Sequence, residues 1–168
     1  MGFLFMTFLE KDLEEIIYTS GRDVLNEKGL FVEGKLVRQF NLGHYGIIDL
    51  ISITRPRYYG RERDKIDKGR ITIFELKKDK IGIGAFMQAI RYARCIQLHL
   101  EKKGKLYLYD LGITLIGNEI DKTGSFVFLP DLISSEDFQL NFYTYEMNID
   151  GLLFKNQHGY RLPKKPTF

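Results

Sequence analysis

Apolar positions along the chain fall into two periods. Leu9, Leu13, Ile16 and Ile17 recur at helical spacing, so residues 8–20 are expected to form an amphipathic helix. Thr7 is positioned to cap it, Glu10 three residues later to complete a capping box, and Gly21 to end it. Residues 22–34 are mixed and read as loop with a short helical turn. Residues 36–42 alternate as a strand, and Gly43-His44-Tyr45-Gly46 has the composition of a hairpin turn. Residues 47–54 are rich in β-branched side chains and apolar on both faces, which fits a central strand. A polar excursion over 55–70 precedes a third strand at 71–77.

Gly82 and Gly84 then open a long helix over 83–103, with Ile83, Phe86, Met87, Ile90 and Ala93 on its apolar face and Gly104 as its stop. Strands are expected at 105–110 and 112–117, as two elements or one bent strand, and at 125–129. A hairpin of 141–147 and 152–155 turns through Asn148-Ile149-Asp150-Gly151, where Asp-Gly is a strong turn signal. The tail from Arg161 is rich in Pro and Lys and is expected to be loose. Neither a repeat nor a domain boundary is visible. The order is helix, three strands, helix, further strands. It predicts one α/β domain over residues 1–168 with a mixed central sheet flanked by helices.

Composition narrows the chemistry. At 168 residues, 44% hydrophobic and 28% charged, the chain suits one globular domain. A net charge of +3 is too small to argue for a polyanionic partner without local clustering. The single cysteine, Cys95, excludes an intrachain disulfide and a cysteine zinc cluster, and is expected to pack as a small hydrophobe. His44, His99 and His158 lack metal-ligand spacing. The apolar N-terminus lacks the basic start and cleavage site of a signal peptide, and no apolar run is long enough to span a bilayer, so an intracellular protein is expected.

Carboxylates intrude into two of the apolar strands. Asp49 interrupts Ile47-Ile48-Asp49-Leu50-Ile51, and Glu75 interrupts Phe74-Glu75-Leu76-Lys77. An unpaired buried carboxylate is costly to desolvate, so each needs a cation or several donors. Glu75 and Lys77 share a strand face. Asp49 lies on the neighbouring strand, within a few ångströms if the pair is antiparallel. Two carboxylates and a backbone carbonyl such as that of Leu76 are the hard oxygen donors that Mg2+ prefers. The plainer alternatives are a surface ion pair for Glu75 and Lys77, and a turn residue for Asp49.

Asp49, Glu75-Leu76-Lys77 and, in the next helix, Gln88 and Tyr92 together resemble the active-site pattern of the PD-(D/E)XK nuclease superfamily, in particular its exonuclease-like and Holliday-junction-resolvase-like branches. The resemblance covers residues 8–117 and implies a restriction-endonuclease-like α-β-β-β-α-β core, with the later strands an addition. It implies that Asp49 and Glu75 bind Mg2+ or Mn2+, that Lys77 assists the attacking water, and that a first-helix glutamate, Glu10 with Glu14 in reserve, completes the metal site. Gln88 and Tyr92 match a Gln-X-X-X-Tyr element of several branches. Ile48 stands where the family pattern has a proline that many members lack.

The implied substrate is nucleic acid, with DNA the expected form. Residues 55–70 contain seven Lys/Arg against three Asp/Glu, and their connection between the two carboxylate strands suggests a basic loop beside the site. Arg55, Arg57, Arg61 and Arg63 are its candidates for phosphate contacts and Tyr58 or Tyr59 for stacking, with Arg91 and Arg94 on the long helix and Lys164-Lys165 in the tail as weaker ones. Two other readings stay open: a nuclease-like module that binds but no longer cuts, and a homodimer built on Phe142, Tyr143, Tyr145 and Phe154.

Overall fold

In the computed structural model, which describes residues 8–59, 66–123, 126 and 138–157, the first apolar stripe forms helix α1 (Glu10–Ser20) with Leu13 and Ile17 fully buried. Thr7 lies outside the described residues. Glu10 is the first helical residue, and the carboxylate that closes the first turn is that of Asp12, which accepts the Leu9 N–H at 2.7 Å. Glu10 is thus not a capping-box residue, and its side chain is left for other partners. Gly21, at φ +78°, ends the helix, and the expected short turn follows as α2 (Arg22–Glu27).

Ten strands are described: β1 (Lys35–Asn41), β2 (Ile47–Ile53), β3 (Arg57–Tyr58), β4 (Ile66–Asp67), β5 (Gly69–Leu76), β6 (Lys80–Ile81), β7 (Tyr109–Gly117), β8 (Glu119–Ile120), β9 (Gln139–Asn148) and β10 (Gly151–Asn156). Helix α3 (Ile83–Lys102) crosses between β6 and β7. The central sheet has the order β1-β2-β5-β7-β9-β10. β1, β2 and β5 form an antiparallel meander, and α3 carries the chain across to β7, which lies parallel to β5. β9 and β10 extend the same sheet, the first parallel to β7 and the second closing a hairpin. The fold is α/β, with a mixed sheet flanked by helices.

Three expectations change. Residues 106–108 form a 3-10 turn, so 109–117 is one strand rather than two. The polar excursion contains a small antiparallel ribbon of β3 and β4. Phe142, Tyr143, Tyr145 and Phe154, open to a dimer face as well as to a core role, are buried at 5–7% exposure and belong to the core. Of the expected strand at 125–129 only Phe126 is described, buried in a hydrophobic cluster.

The sheet separates two apolar layers. On one side α3 lays Phe86, Tyr92 and Ile96 against Ile73, Ile113 and Leu115, while Ala85, Ala89 and Ala93, spaced by four, let the helix approach closely. On the other side α1 and α2 pack Leu13, Ile17 and Leu25 against Leu50, Phe74 and Leu76. Each such fully buried aliphatic side chain stabilises by roughly 1.5–3 kcal/mol relative to exposure. No helix of the described residues is long and apolar enough to cross a membrane.

Strand alternation fails at one level of this sheet. On β2, Ile48 joins the α3-side core, Leu50 the α1-side core and Ile51 the α3 side again. On β1, Val37 and Phe40 both pack on the α3 side although three residues apart. Both faults flank a skipped pair: the ladder contains Arg38↔Leu50 and Phe40↔Ile48, with Gln39 and Asp49 unpaired between them. Gln39 has φ +51°, the single positive φ of a non-glycine residue among those described.

Candidate functional site

The ladder joining β2 to β5 runs from Ile53↔Ile71 to Leu50↔Phe74 and stops. Asp49 and Glu75 are each the next residue past that last pair. They therefore stand together where the strands part, at the end of the sheet to which α1 brings its first turn. Glu75 is 1% exposed, and neither of its oxygens has an aligned hydrogen-bond donor among the described residues. Its counter-charge is Lys77, whose Nζ lies 2.9 Å from Glu75 Oε1 and 3.6 Å from Glu10 Oε1. The Lys77 N–H donates to Ile116 O at 2.8 Å, which extends the β5–β7 pairing by one residue and fixes the root of that side chain. Glu10 Oε2 accepts the Lys78 N–H at 3.3 Å, tying α1 to the end of β5.

Burial dominates the electrostatics. It pushes the Glu75 carboxyl up to about 7, against the pull of Lys77 and helped by Asp49 and Glu10. Asp49 is pushed up to about 6, first by burial and then by the nearby charges of Glu14 and Glu10, with Lys77 opposing. Burial alone would lower Lys77, but its contact with Glu75 and the fields of Glu10 and Asp49 leave it raised. The site holds more negative charge than its one lysine offsets.

Glu14, one turn after Glu10, is buried but fully partnered. Arg38 Nε donates to its Oε1, and Gln39 Nε2 donates to its Oε2 at 2.9 Å. Arg38 also reaches Glu15 at 2.6 Å and lies over the Tyr18 ring at 5.5 Å. Glu10, Lys11, Glu14, Arg38, Gln39 and Asp49 line a cleft of about 540 Å3. Arg38 and Gln39 escaped sequence reasoning. The charge of Arg38 on a strand beside an acidic helix was the available signal; Gln39 offers none, because its role follows from backbone conformation.

Gln88 and Tyr92 meet as the helical spacing requires, Gln88 Nε2 donating to the Tyr92 hydroxyl at 2.9 Å. That hydroxyl donates in turn to Ile47 O at 3.0 Å, two residues before Asp49. Gly46, at φ +112°, makes room for it: a Cβ there would stand 3.1 Å from the hydroxyl. The pair ties α3 to the start of β2 and so sets where that strand begins. Arg91 is exposed and lies 5.6 Å from the Tyr92 ring centre. The Leu76 side chain is fully buried in the α1-side core.

The described parts of the basic loop, residues 55–59 and 66–70, do not lie beside this site. Thr54 N–H donates to Arg70 O, so the excursion leaves and returns at the Ile53↔Ile71 end of the ladder. Asp49 and Glu75 are at the other end, about five residues of strand or ~17 Å away. Two strands joined by a hairpin connection bring together the residues at matching distances from the turn, and these carboxylates are far from it. Arg55, Arg57 and Tyr58 are exposed at that distal end, where Arg70 pairs with Glu33 and Lys68 with Asp110, both at 3.3 Å. Arg61, Arg63 and Lys164-Lys165 lie outside the described residues.

Among the described residues, no three of His, Cys, Asp and Glu stand close enough together to enclose a metal ion as they are. The donor set nevertheless suits a hard divalent cation such as Mg2+ or Mn2+. It offers carboxylate oxygens only, and those of Glu75 are buried without aligned donors. Comparison of the chain with family models, with curated proteins and with solved structures gives no match.

Proposed function

We propose that the chain is a divalent-cation-dependent nuclease of restriction-endonuclease-like fold that hydrolyses phosphodiester bonds of nucleic acid, DNA being the favoured substrate. One observation carries the reading. Glu75 is a nearly inaccessible carboxylate without an aligned donor, next to Asp49, with Lys77 as its single counter-charge among the described residues. Desolvating such a group is costly, and a structural role would be met as well by an apolar side chain. The α-β-β-β-α-β order and the placing of both carboxylates past the end of one ladder support the same reading.

Asp49, Glu75 and Glu10 would hold the cation, together with the carbonyl of Leu76. When bound, a divalent cation makes a coordinated water more acidic and offsets charge on the phosphate. Lys77, between Glu75 and Glu10, is placed to hold a water by hydrogen bonding and to neutralise charge developing on the attacked phosphate. Gln88 and Tyr92 fix the start of β2 and hence the position of Asp49. Lys11, in the cleft beside Asp49, is a nearer phosphate contact than the distal arginines.

The test is a panel of labelled single-stranded, double-stranded and branched DNA and RNA, incubated with Mg2+ or Mn2+, comparing wild type with Glu75→Ala. Cation-dependent cleavage by wild type alone supports the reading; cleavage by both proteins, or by neither, contradicts it. A second reading, a module of this fold that binds nucleic acid without cutting, draws on the absence of a closed cluster of three ligands among the described residues. Nucleic-acid binding without calorimetric uptake of Mn2+ favours it.

A further inference from the structure

Gln39 stands in the middle of β1 in a conformation that L residues adopt with difficulty, between two regularly paired neighbours. Strain of this kind persists only where the surroundings impose it, and it concentrates at functional sites. Its consequence is specific. Regular alternation would send Arg38 and Gln39 to opposite faces of the sheet, yet both reach Glu14, one to each carboxylate oxygen. The fault lies directly across from Asp49, the other residue skipped in the same ladder.

Glu14 is therefore an anion with both oxygens occupied, whereas Glu10 is not so bound. Glu10 is half-exposed, holds one long hydrogen bond at 3.3 Å and faces Lys77 at 3.6 Å. To become a ligand Glu14 would have to give up two hydrogen bonds, one of them to a guanidinium; Glu10 would give up little. We propose that Arg38 and Gln39 are positioning residues of the cation site: they hold both oxygens of Glu14 in the cleft it shares with Asp49, and leave Glu10 as the helix carboxylate that meets the ion. This rests on the cation-site reading above. The charge of Glu14 then acts on the ion through space, from the wall of the cleft it shares with Asp49. Outer residues of this type alter metal affinity by roughly 10–100-fold without touching the ion.

The experiment is Mn2+ titration calorimetry on the full chain, with melting temperature as the control and nucleic-acid cleavage measured separately. Gln39→Gly suits the left-handed backbone and removes the amide, so its melting temperature should stay within about 2 °C of wild type while Mn2+ affinity falls about tenfold. Gln39→Asn, which tolerates that backbone and keeps an amide, should recover part of the loss. Glu14→Gln should weaken binding about tenfold and Glu10→Gln about a hundredfold, the difference between a remote charge and a ligand. Wild-type affinity in Gln39→Gly, or a larger loss from Glu14→Gln than from Glu10→Gln, overturns the proposal. A melting temperature that falls together with affinity in Gln39→Gly overturns it too, by marking a purely structural residue. A wild type that takes up no Mn2+ overturns both this proposal and the cation site. Mn2+ binding in the expected order without cleavage of any substrate overturns the nuclease reading and leaves the clamp standing.

Discussion

Replacing Glu75 by glutamine keeps its shape and removes its charge, and the consequences can be worked through. Folding raises this carboxyl from an ordinary 4.5 to about 7, chiefly by burial. The folded state then binds the proton more tightly than the unfolded state. The stability this represents is complete below pH 4.5 and is lost as the pH rises toward and through 7. At about 1.4 kcal/mol per pH unit the ionised group destabilises the cation-free protein by up to about 3 kcal/mol at pH 8. Glutamine escapes that penalty, from which the opposing pull of Lys77 is already subtracted. A net gain of about 3 kcal/mol, or roughly 6–12 °C, is expected for Glu75→Gln at pH 8 in the presence of a chelator. At pH 4.5 the two proteins should melt within a degree or so of each other. Saturating Mn2+ should reverse the order at pH 8, since about a thousandfold excess over the dissociation constant stabilises wild type by roughly 4.1 kcal/mol and the variant by little. Scanning calorimetry at the two pH values, with chelator and with Mn2+, makes all four comparisons. A variant no more stable than wild type at pH 8 with chelator would refute the reasoning, as would a wild-type melting temperature indifferent to pH between 4.5 and 8.

Lys77→Met removes the counter-charge of Glu75; its melting temperature should fall by several degrees at pH 8 but little at pH 5, where a protonated Glu75 needs no partner, and a uniform loss at both pH values would contradict the pairing. Tyr92→Phe deletes the bond to Ile47 O and the acceptor of Gln88, which costs about 1 kcal/mol and about 2–4 °C. Its cleavage rate at 25 °C should change less than about threefold, and a loss beyond about a hundredfold would move the hydroxyl from positioning to chemistry. Arg55→Ala and Arg57→Ala, at the distal end of the ladder, should leave cleavage of a short oligonucleotide of about six nucleotides unchanged while reducing the salt slope for long substrates by about one each, measured by titration at several ionic strengths.

Most of the architecture was legible because it follows from local rules. Periodicity in 8–20 and 83–103, glycines at 21 and 104, and Asp-Gly before β10 each mark an element the structure contains. The parallel pairing of β5 with β7 followed from a long helix between them. The 3-10 turn at 106–108 was missed because Leu-Tyr-Leu alternates as a strand does, and only its place after Gly104 sets it apart. In the site, Asp49, Glu75 and Lys77 were legible as polar intrusions into apolar runs, which composition alone exposes. Arg38 and Gln39 were not, because their shared target depends on one dihedral angle. The misplaced basic loop has another cause. A connection between two strands lies beside the residues nearest it in sequence; Asp49 is five positions from Thr54, enough to put the length of the ladder between them.

That length also bears on how the site tolerates its own charge. Leu50, Ile51, Phe74 and Ile73 fill both faces of the ladder immediately below Asp49 and Glu75, each at 1% exposure or less. Rigid packing there holds the two backbones at a fixed separation, so the carboxylates cannot relieve their repulsion by moving apart without disturbing a filled core. The strands are free to diverge only beyond the last pair, and the single positive φ among the described non-glycine residues, at Gln39, lies on the outer strand β1 and not on β5. Strain is thus borne where the sheet is an edge, and fixity is kept where the carboxylates are rooted. An exposed Glu-X-Lys pair would have neither property, which is why burial of Glu75, more than the spacing of its neighbours, separates a candidate site from an ordinary ion pair.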